Sequence, residues 1–242
     1  MTHYILIPVF NEERNLDLLA QRLKNSLPGT VNYFVFVDDN STDRSVEKLK
    51  ELFNESKFVV LEKKINKGPG DSFNMGFEWI LENSHHPEDV IITMEADNTS
   101  DISILPDMVA ISNLGYDLVL SSVYAQGGGF VKTTFFRMFA SFFANLFFRS
   151  FFGIKVHTLS SFYRVYHLSL IKKLKANYNR IIDDNGFISM LEILLKSIKA
   201  GARIIEVPMI LRSDLRKDKT KMKIGKTIFS YLHFFFFYKK TF

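Results

Sequence analysis

The chain has no cysteine, which excludes disulfides and thiolate metal sites and is compatible with a reducing compartment. It has no stretch of about twenty residues free of charge, so no transmembrane span is expected. Residues 1–10 carry no basic leader and their apolar run stops at Asn11, so no signal peptide is expected either. Linkers, repeats and low-complexity tracts are missing, and 242 residues suit a single domain spanning 1–242 around one sizeable core. There is no nucleic-acid recognition motif and no G-x-x-x-x-G-K-[ST] phosphate loop. Acids are outnumbered, 26 against 31 Lys and Arg, giving a formal charge of +5 and a pI near 9.2. Such a balance suits phosphorylated ligands, anionic lipid or nucleic acid, and the placement of the charges decides among them.

What is present is organised around residues 89–101, D-V-I-I-T-M-E-A-D-N-T-S-D. Val90, Ile91, Ile92 and Met94 are too few for a buried helix and rich in β-branching, so they predict a covered core strand. If the strand persists to Asp97, alternation puts the carboxylates of Glu95 and Asp97 on one face and Ala96 on the other. Two hard oxygen ligands at the mouth of an open α/β sheet suit a divalent cation carrying phosphates. The competing reading is a polar exit from a strand with solvated acids.

Around that stretch the pattern is β-α-β-α-β. Residues 4–9 predict a strand, with Asn11 capping a helix that carries Leu16, Leu19, Ala20, Leu23 and Leu27 on one stripe. Residues 33–37 predict a second strand running into Asp38 and Asp39, with Ser41 or Asp43 opening a helix. Residues 58–61 predict a third. Parallel strands bring their polar carboxyl ends to one edge of the sheet, the candidate site. The turn Asn66-Lys67-Gly68-Pro69-Gly70 precedes a helix with Phe73, Phe77, Ile80 and Leu81 aligned; it reads as a phosphate or ligand cradle or as an ordinary loop. A helix near 106–112, a strand over 117–123, a helix from about 185 to Gly201 and a strand over 203–209 follow. Glu192 within that last helix reads as a solvated acid.

Ten of the 25 phenylalanines fall between 130 and 152. A helix over 130–153 has Arg137, Ser141, Asn145 and Arg149 as a polar stripe on an otherwise apolar cylinder. Interrupted by two arginines, it predicts a helix lying in a membrane interface, with a core helix as the alternative. Residues 212–242 form a basic flap with an aromatic tail, including Arg212, Arg216, Lys217, Lys219, Lys221, Lys223 and Lys226. They read as a solvated tail or as a cover for phosphates or anionic lipid.

Together, I-P-V-F-N-E-E at 7–13, V-D-D-N-S-T-D at 37–43, N-K-G-P-G at 66–70, M-E-A-D at 94–97 and E-V-P at 206–208 resemble the inverting family 2 glycosyltransferases of GT-A fold. Within them the chain is most similar to the dolichyl- or polyprenyl-phosphate mannosyltransferase branch. The resemblance implies an α/β fold, a Rossmann-like and mostly parallel central sheet with helices on both faces, plus amphipathic interfacial helices. It implies a metal-dependent enzyme, using Mg²⁺ or Mn²⁺, that moves a sugar from GDP-mannose or a UDP-hexose to a polyprenyl phosphate. The enzyme would be peripheral, at the cytoplasmic face of a membrane. By the same resemblance Pro8, Phe10, Glu12, Val37 and Asp39 hold base and ribose, beside Lys67, Gly68 and Ala96. Glu95, Asp97 and Thr99 hold the metal. Arg137, Ser141, Arg216 and Lys221 hold the acceptor phosphate, and Asp97, Arg137 and Lys221 are the catalytic set. Val123, Thr158 and Leu215 depart from the branch, which has Arg, Asp and Arg there. Two other functions remain. One is transfer to a sugar or lipid hydroxyl, with Asp183 or Asp184 as the general base such an acceptor needs. The other is a module that binds nucleotide sugar without turnover.

Overall fold

The computed structural model describes residues 1–218 and Phe234. Seven strands form one sheet in the order β3-β2-β1-β4-β7-β5-β8. These are β1 (Thr2–Val9), β2 (Val31–Asp38), β3 (Lys57–Glu62), β4 (Val90–Thr93), β5 (Leu118–Ser122), β7 (Arg164–His167) and β8 (Ile204–Pro208). All pair in parallel except β7, which is antiparallel to both β4 and β5. A two-stranded parallel ribbon of β6 (Gly129–Val131) and β9 (Ile210–Arg212) stands apart. The helices are α1 (Leu16–Lys24), α2 (Ser45–Leu52), α3 (Pro69–Asn83), α4 (Leu105–Asn113), α5 (Phe135–Phe152), α6 (Leu168–Asn177) and α7 (Ser189–Lys199). The α/β architecture with a mostly parallel sheet is the one expected.

Alternation along the strands divides the core into two layers. Leu6, Val35, Val37 and Ile91 pack with Phe73, Phe77 and Ile80 of α3 and with Leu191 and Leu194 of α7. Ile5, Ile7, Phe34, Phe36 and Ile92 pack on the opposite face with Leu16 and Leu19 of α1, Leu49 of α2 and Met108 of α4. Both faces are therefore covered, which is why these strands read as continuous apolar runs. α3 lies so close to β1 that a Cβ on Gly76 would collide with the side chain of Leu6.

Several local expectations change. Asn11 does not cap the first helix; it adopts φ 53°, and α1 begins at Leu16 with Asn15 at its N-cap position. Glu12 and Glu13 consequently lie in the loop, not in a helical turn. The second helix begins at Ser45, beyond both Ser41 and Asp43, although the Asp43 carboxylate accepts from the Ser45 N–H at 3.0 Å. The strand at 90–93 stops before Glu95, so alternation does not carry through to Asp97. β7 and α6 had no expectation attached to them: a four-residue strand preceded by hydroxyl side chains has too little periodicity to register. β6 occupies 129–131, so the aromatic helix is shorter than 130–153 and ends at Gly153 in the left-handed region at φ 64°. No helix among the described residues is long and apolar enough to cross a membrane.

Replacing Gly76 by Val should destabilise the protein by about 1–3 kcal/mol, because the added methyls must displace the buried Leu6 side chain. Urea unfolding of the variant against the parent measures it.

Candidate active site at the carboxyl edge of the sheet

Strand order reverses between β1 and β4, and open α/β sheets bind ligands in the crevice at that point. The register places Val9 beside Asp38 and Leu6 beside Thr93, so β1, β2 and β4 deliver their following residues to the same edge. Each exit turns through an asparagine with positive φ: Asn11 at 53°, Asn40 at 64° and Asn98 at 67°. Asparagine tolerates this left-handed geometry better than bulkier residues. The first two loops are knitted together, since the Asn11 and Glu12 N–H groups donate to Ser41 and Ser45 hydroxyls at 2.9 and 2.8 Å. The Asn11 side-chain oxygen accepts from the Thr42 N–H at 2.7 Å.

After β4, Glu95 and Asp97 are half-buried and close enough for each charge to oppose the other. Burial first, and then the Asp97 charge, pushes the Glu95 carboxyl above its usual range, while the Ser100 hydroxyl at 2.6 Å and Arg216 pull it back. Asp97 is met by the Arg216 guanidinium through Nε at 2.8 Å and through Nη2. Thr99 is buried and donates both its N–H and its hydroxyl to Asp97 Oδ1, at 3.0 and 2.7 Å, so in this arrangement it orients Asp97. Arg22 braces the turn from beneath by donating to the Asn98 and Ser100 carbonyls, both at 2.8 Å. Ala96 is buried in the layer beneath.

On the β2 side the Asp39 carboxylate accepts from Lys63 Nζ at 2.5 Å and from the N–H groups of Lys67 and Gly68 at 2.9 and 2.7 Å. Asp39 therefore ties the glycine-rich turn to the end of β2. Lys63 also pairs with Asp71 at 2.8 Å, and Arg180 reaches the same Asp71 at 2.6 Å. Burial would raise the Asp71 carboxyl, but Lys63 and Arg180 outweigh it and hold it below its usual range. Gly68 has φ 101°, and a Cβ there would sit 2.5 Å from the Asn185 carbonyl. Pro8 and Phe10 are half-buried at the end of β1, and the side chain of Val37 lies wholly in the core, leaving its main chain as what it can offer a ligand. Glu12 is buried and accepts from the Asn15 amide at 2.6 Å. The Lys67 side chain is exposed.

Ser141, Asn145 and Arg149 of the α5 stripe face the protein. Tyr124, two residues past β5, donates to the Ser141 hydroxyl at 2.8 Å; buried Asn145 accepts from the Leu159 N–H at 3.1 Å; Arg149 donates to the Lys155 carbonyl at 3.4 Å. Phe135, Phe139, Phe142, Phe143, Leu146 and Phe147 point the other way and are exposed. The side chain of Arg137 and all of Lys221 lie outside the described residues, as do Lys219, Lys223 and Lys226. Asp184 is half-buried and accepts from the Gly186 N–H at 2.7 Å, while Asp183 is exposed and pairs with Lys196 at 2.8 Å.

Lys63, Asp71, Arg180, Asn15 and Arg22 carried no expectation. Each has at least one partner remote in sequence, Asp39 for Lys63, Arg180 for Asp71, Asn98 for Arg22 and the Lys217 N–H for Asn15, so no local spacing announces them.

Solved structures share this architecture. Glucosyl-3-phosphoglycerate synthase from Mycobacterium tuberculosis, crystallised with Mn²⁺ and UDP-glucose, is similar with a TM-score of 0.66 at 14% identity, over 96% of this chain and 77% of that one. S. aureus TarS in complex with UDP is similar with a TM-score of 0.56 at 22% identity, over 88% of this chain and 58% of that one. The fold is that of the GT-A glycosyltransferases. The chain belongs to glycosyl transferase family 2, whose profile it matches over residues 4–175. Among curated relatives, the polyprenol monophosphomannose synthase of Mycolicibacterium smegmatis is 26% identical over 85% of this chain and 75% of its own length. The dolichol-phosphate mannosyltransferase of Pyrococcus furiosus is 29% identical over 94% of this chain, which spans 61% of that relative.

Asp39→Ala leaves the Lys67 and Gly68 N–H groups without their acceptor and Lys63 with Asp71 as its one carboxylate partner. A loss of about 1–3 kcal/mol in urea unfolding is expected, the cost of stranding part-buried donors and unbalancing a buried ammonium.

Proposed function

We propose that this protein transfers a hexose from a nucleoside diphosphate sugar, GDP-mannose or a UDP-hexose, to a polyprenyl phosphate at a membrane surface, inverting the anomeric carbon. The names of the relatives support the acceptor class. The observation in this chain that carries the reading is the orientation of α5, which sets Ser141 against Tyr124 at the carboxyl edge and leaves Phe135, Phe139, Phe142, Phe143 and Phe147 exposed. An aromatic face beside the acid-lined edge lets a lipid stay in its bilayer while its phosphate reaches the site.

Glu95 and Asp97 fit a Mg²⁺ or Mn²⁺ ion. Two half-buried carboxylates that oppose each other's charge suit a cation between them, and in this structure Arg216 meets Asp97. Among the described residues no group of three or more His, Cys, Asp or Glu could complete a coordination shell, so the diphosphate would supply the remaining oxygens. Held there, the cation would supply Lewis-acid neutralisation of the charge on the departing nucleoside diphosphate. Pro8, Phe10, Glu12, Asp39 and the main chain of Val37 would receive base and ribose, with Lys67, Gly68 and Ala96 beside the diphosphate. Arg137, Ser141, Arg216 and Lys221 would hold the acceptor phosphate in line with the anomeric carbon as that carbon gains oxocarbenium character. A phosphate acceptor is already an anion at neutral pH, so positioning suffices and no strong general base is needed. A hydroxyl acceptor would need one, and Asp184 is the side chain placed for it.

The test is transfer by purified protein, with Mn²⁺ or Mg²⁺, from GDP-mannose, UDP-glucose and UDP-N-acetylglucosamine to a polyprenyl phosphate. An acid-labile glycolipid is expected, with Asp97→Ala abolishing both turnover and metal-dependent nucleotide binding while unfolding stays cooperative. Near-normal turnover in Asp97→Ala would remove the metal assignment. No lipid product, together with a loss of about 10²-fold or more in Asp184→Asn on a hydroxyl acceptor, would replace the phosphate acceptor by a hydroxyl.

Phe139 and Phe143 are 52% and 48% exposed, so changing both to Asp should abolish sedimentation with anionic lipid vesicles and leave the melting temperature within about 2 °C. Undiminished vesicle binding would remove α5 from the membrane.

A further inference from the structure

Glu192 is not a solvated acid. It is 1% exposed on α7, and its carboxylate meets Lys196 Nζ at 2.6 Å, with the lysine side chain 3% exposed. Its oxygens also accept from the N–H of Asp183 at 2.9 Å and of Asp184 at 2.8 Å. Lys196 donates to the carbonyls of Arg180 and Ile181 at 3.2 and 3.1 Å, and to the Asp183 carboxylate at 2.8 Å. Two side chains thus hold a run of main chain that has no regular structure of its own from 181 to 185. Burial outweighs Lys196 and the two N–H groups and keeps the Glu192 carboxyl above its usual range.

That run lies along the first turn of α3. Arg180 pairs with Asp71 at 2.6 Å, the Ile182 N–H donates to the Asn74 side chain at 3.2 Å, and the Gly70 N–H donates to the Asn185 carbonyl at 2.9 Å. A Cβ at Gly68 would stand 2.5 Å from the Asn185 carbonyl, and one at Gly70 would collide with the Asp184 carbonyl, so the two segments touch main chain to main chain. From the other side the same turn is held by Asp39, which shares Lys63 with Asp71. The glycine-rich turn is therefore clamped between the end of β2 and residues 180–186. A buried carboxylate–ammonium pair in such a place is seldom there for stability, since similarly shaped apolar residues usually serve a core at least as well.

We propose that Glu192 and Lys196 are positioning residues for the nucleotide-sugar half of the site: they fix residues 180–186, and that segment fixes the Lys67–Gly70 turn. This rests on the reading of that turn as part of the donor site.

The test is the double variant Glu192→Leu/Lys196→Met, which removes both charges and keeps apolar volume, compared with Glu192→Gln/Lys196→Met, which keeps an amide oxygen for the Asp183 and Asp184 N–H groups. In nucleotide-free protein the Leu/Met variant should still unfold cooperatively, at a lowered temperature because the Asp183 and Asp184 N–H groups lose their acceptor, and should exchange the amide hydrogens of Lys67, Gly68 and Gly70 about tenfold faster while the amides of β1 and β2 stay protected, a local loosening. Its KM for the nucleotide sugar should rise about tenfold with KM for the acceptor unchanged, and the Gln/Met variant should recover part of both effects. Unaltered exchange at 67–70 in a folded variant overturns the clamp. Faster exchange with an unchanged donor KM overturns the link to the donor. Should Leu/Met fail to fold, Gln/Met carries the same two readouts. If the parent binds no nucleotide sugar, the functional reading fails by itself, while the exchange rates still decide the clamp.

Discussion

Parallel pairing of β1 with β2 and β4 is the constraint on which the rest of the structure depends. Because these strands run the same way, their polar exits cannot be distributed around the molecule; they converge on one edge. Both faces of the sheet are covered by helices, so the strands can be apolar throughout, and the abrupt change to Asn, Asp and Glu marks where the covering stops. At each exit a left-handed asparagine turns the chain sharply beside its acids, which keeps them at the rim.

Gathering acids at a half-buried edge creates an electrostatic difficulty that the chain resolves with cations drawn from distant segments. Asp39 and Asp71 share Lys63, with Arg180 added at Asp71; Asp97 is met by Arg216, which is 119 residues away. Among the described residues Glu95 forms no ion pair, and burial, with the Asp97 charge second, raises its carboxyl above its usual range. In the proposed function this pair of acids is where a divalent cation would sit, carrying the diphosphate.

In α5, Ser141, Asn145 and Arg149 meet Tyr124, Leu159 and Lys155 of the protein, and Phe148 is buried, while Phe135, Phe139, Phe142, Phe143 and Phe147 are left exposed, an unusual share of aromatic surface for a helix facing water. The interior of the 180–186 region is polar: Lys196 and Glu192 satisfy main-chain groups that no helix or strand could satisfy there.

Much of this was determined by the sequence alone. Apolar runs of strand length ending in V-D-D-N and M-E-A-D, separated by amphipathic helices, dictate a parallel α/β sheet with its acids at one edge, because side-chain period and burial are local properties. The motifs that resemble family 2 are local as well. Tertiary structure alone decided the partners. That Asp39 meets Lys63, that Glu192 is buried and that Ser141 and Asn145 of α5 face the protein all depend on segments distant in sequence. The antiparallel strand β7 belongs with these, since its four residues form a strand only because β4 and β5 leave a gap of the right width between them. Pairing free energies between remote residues leave no periodic trace in a chain, and only the fold brings those residues within reach of one another.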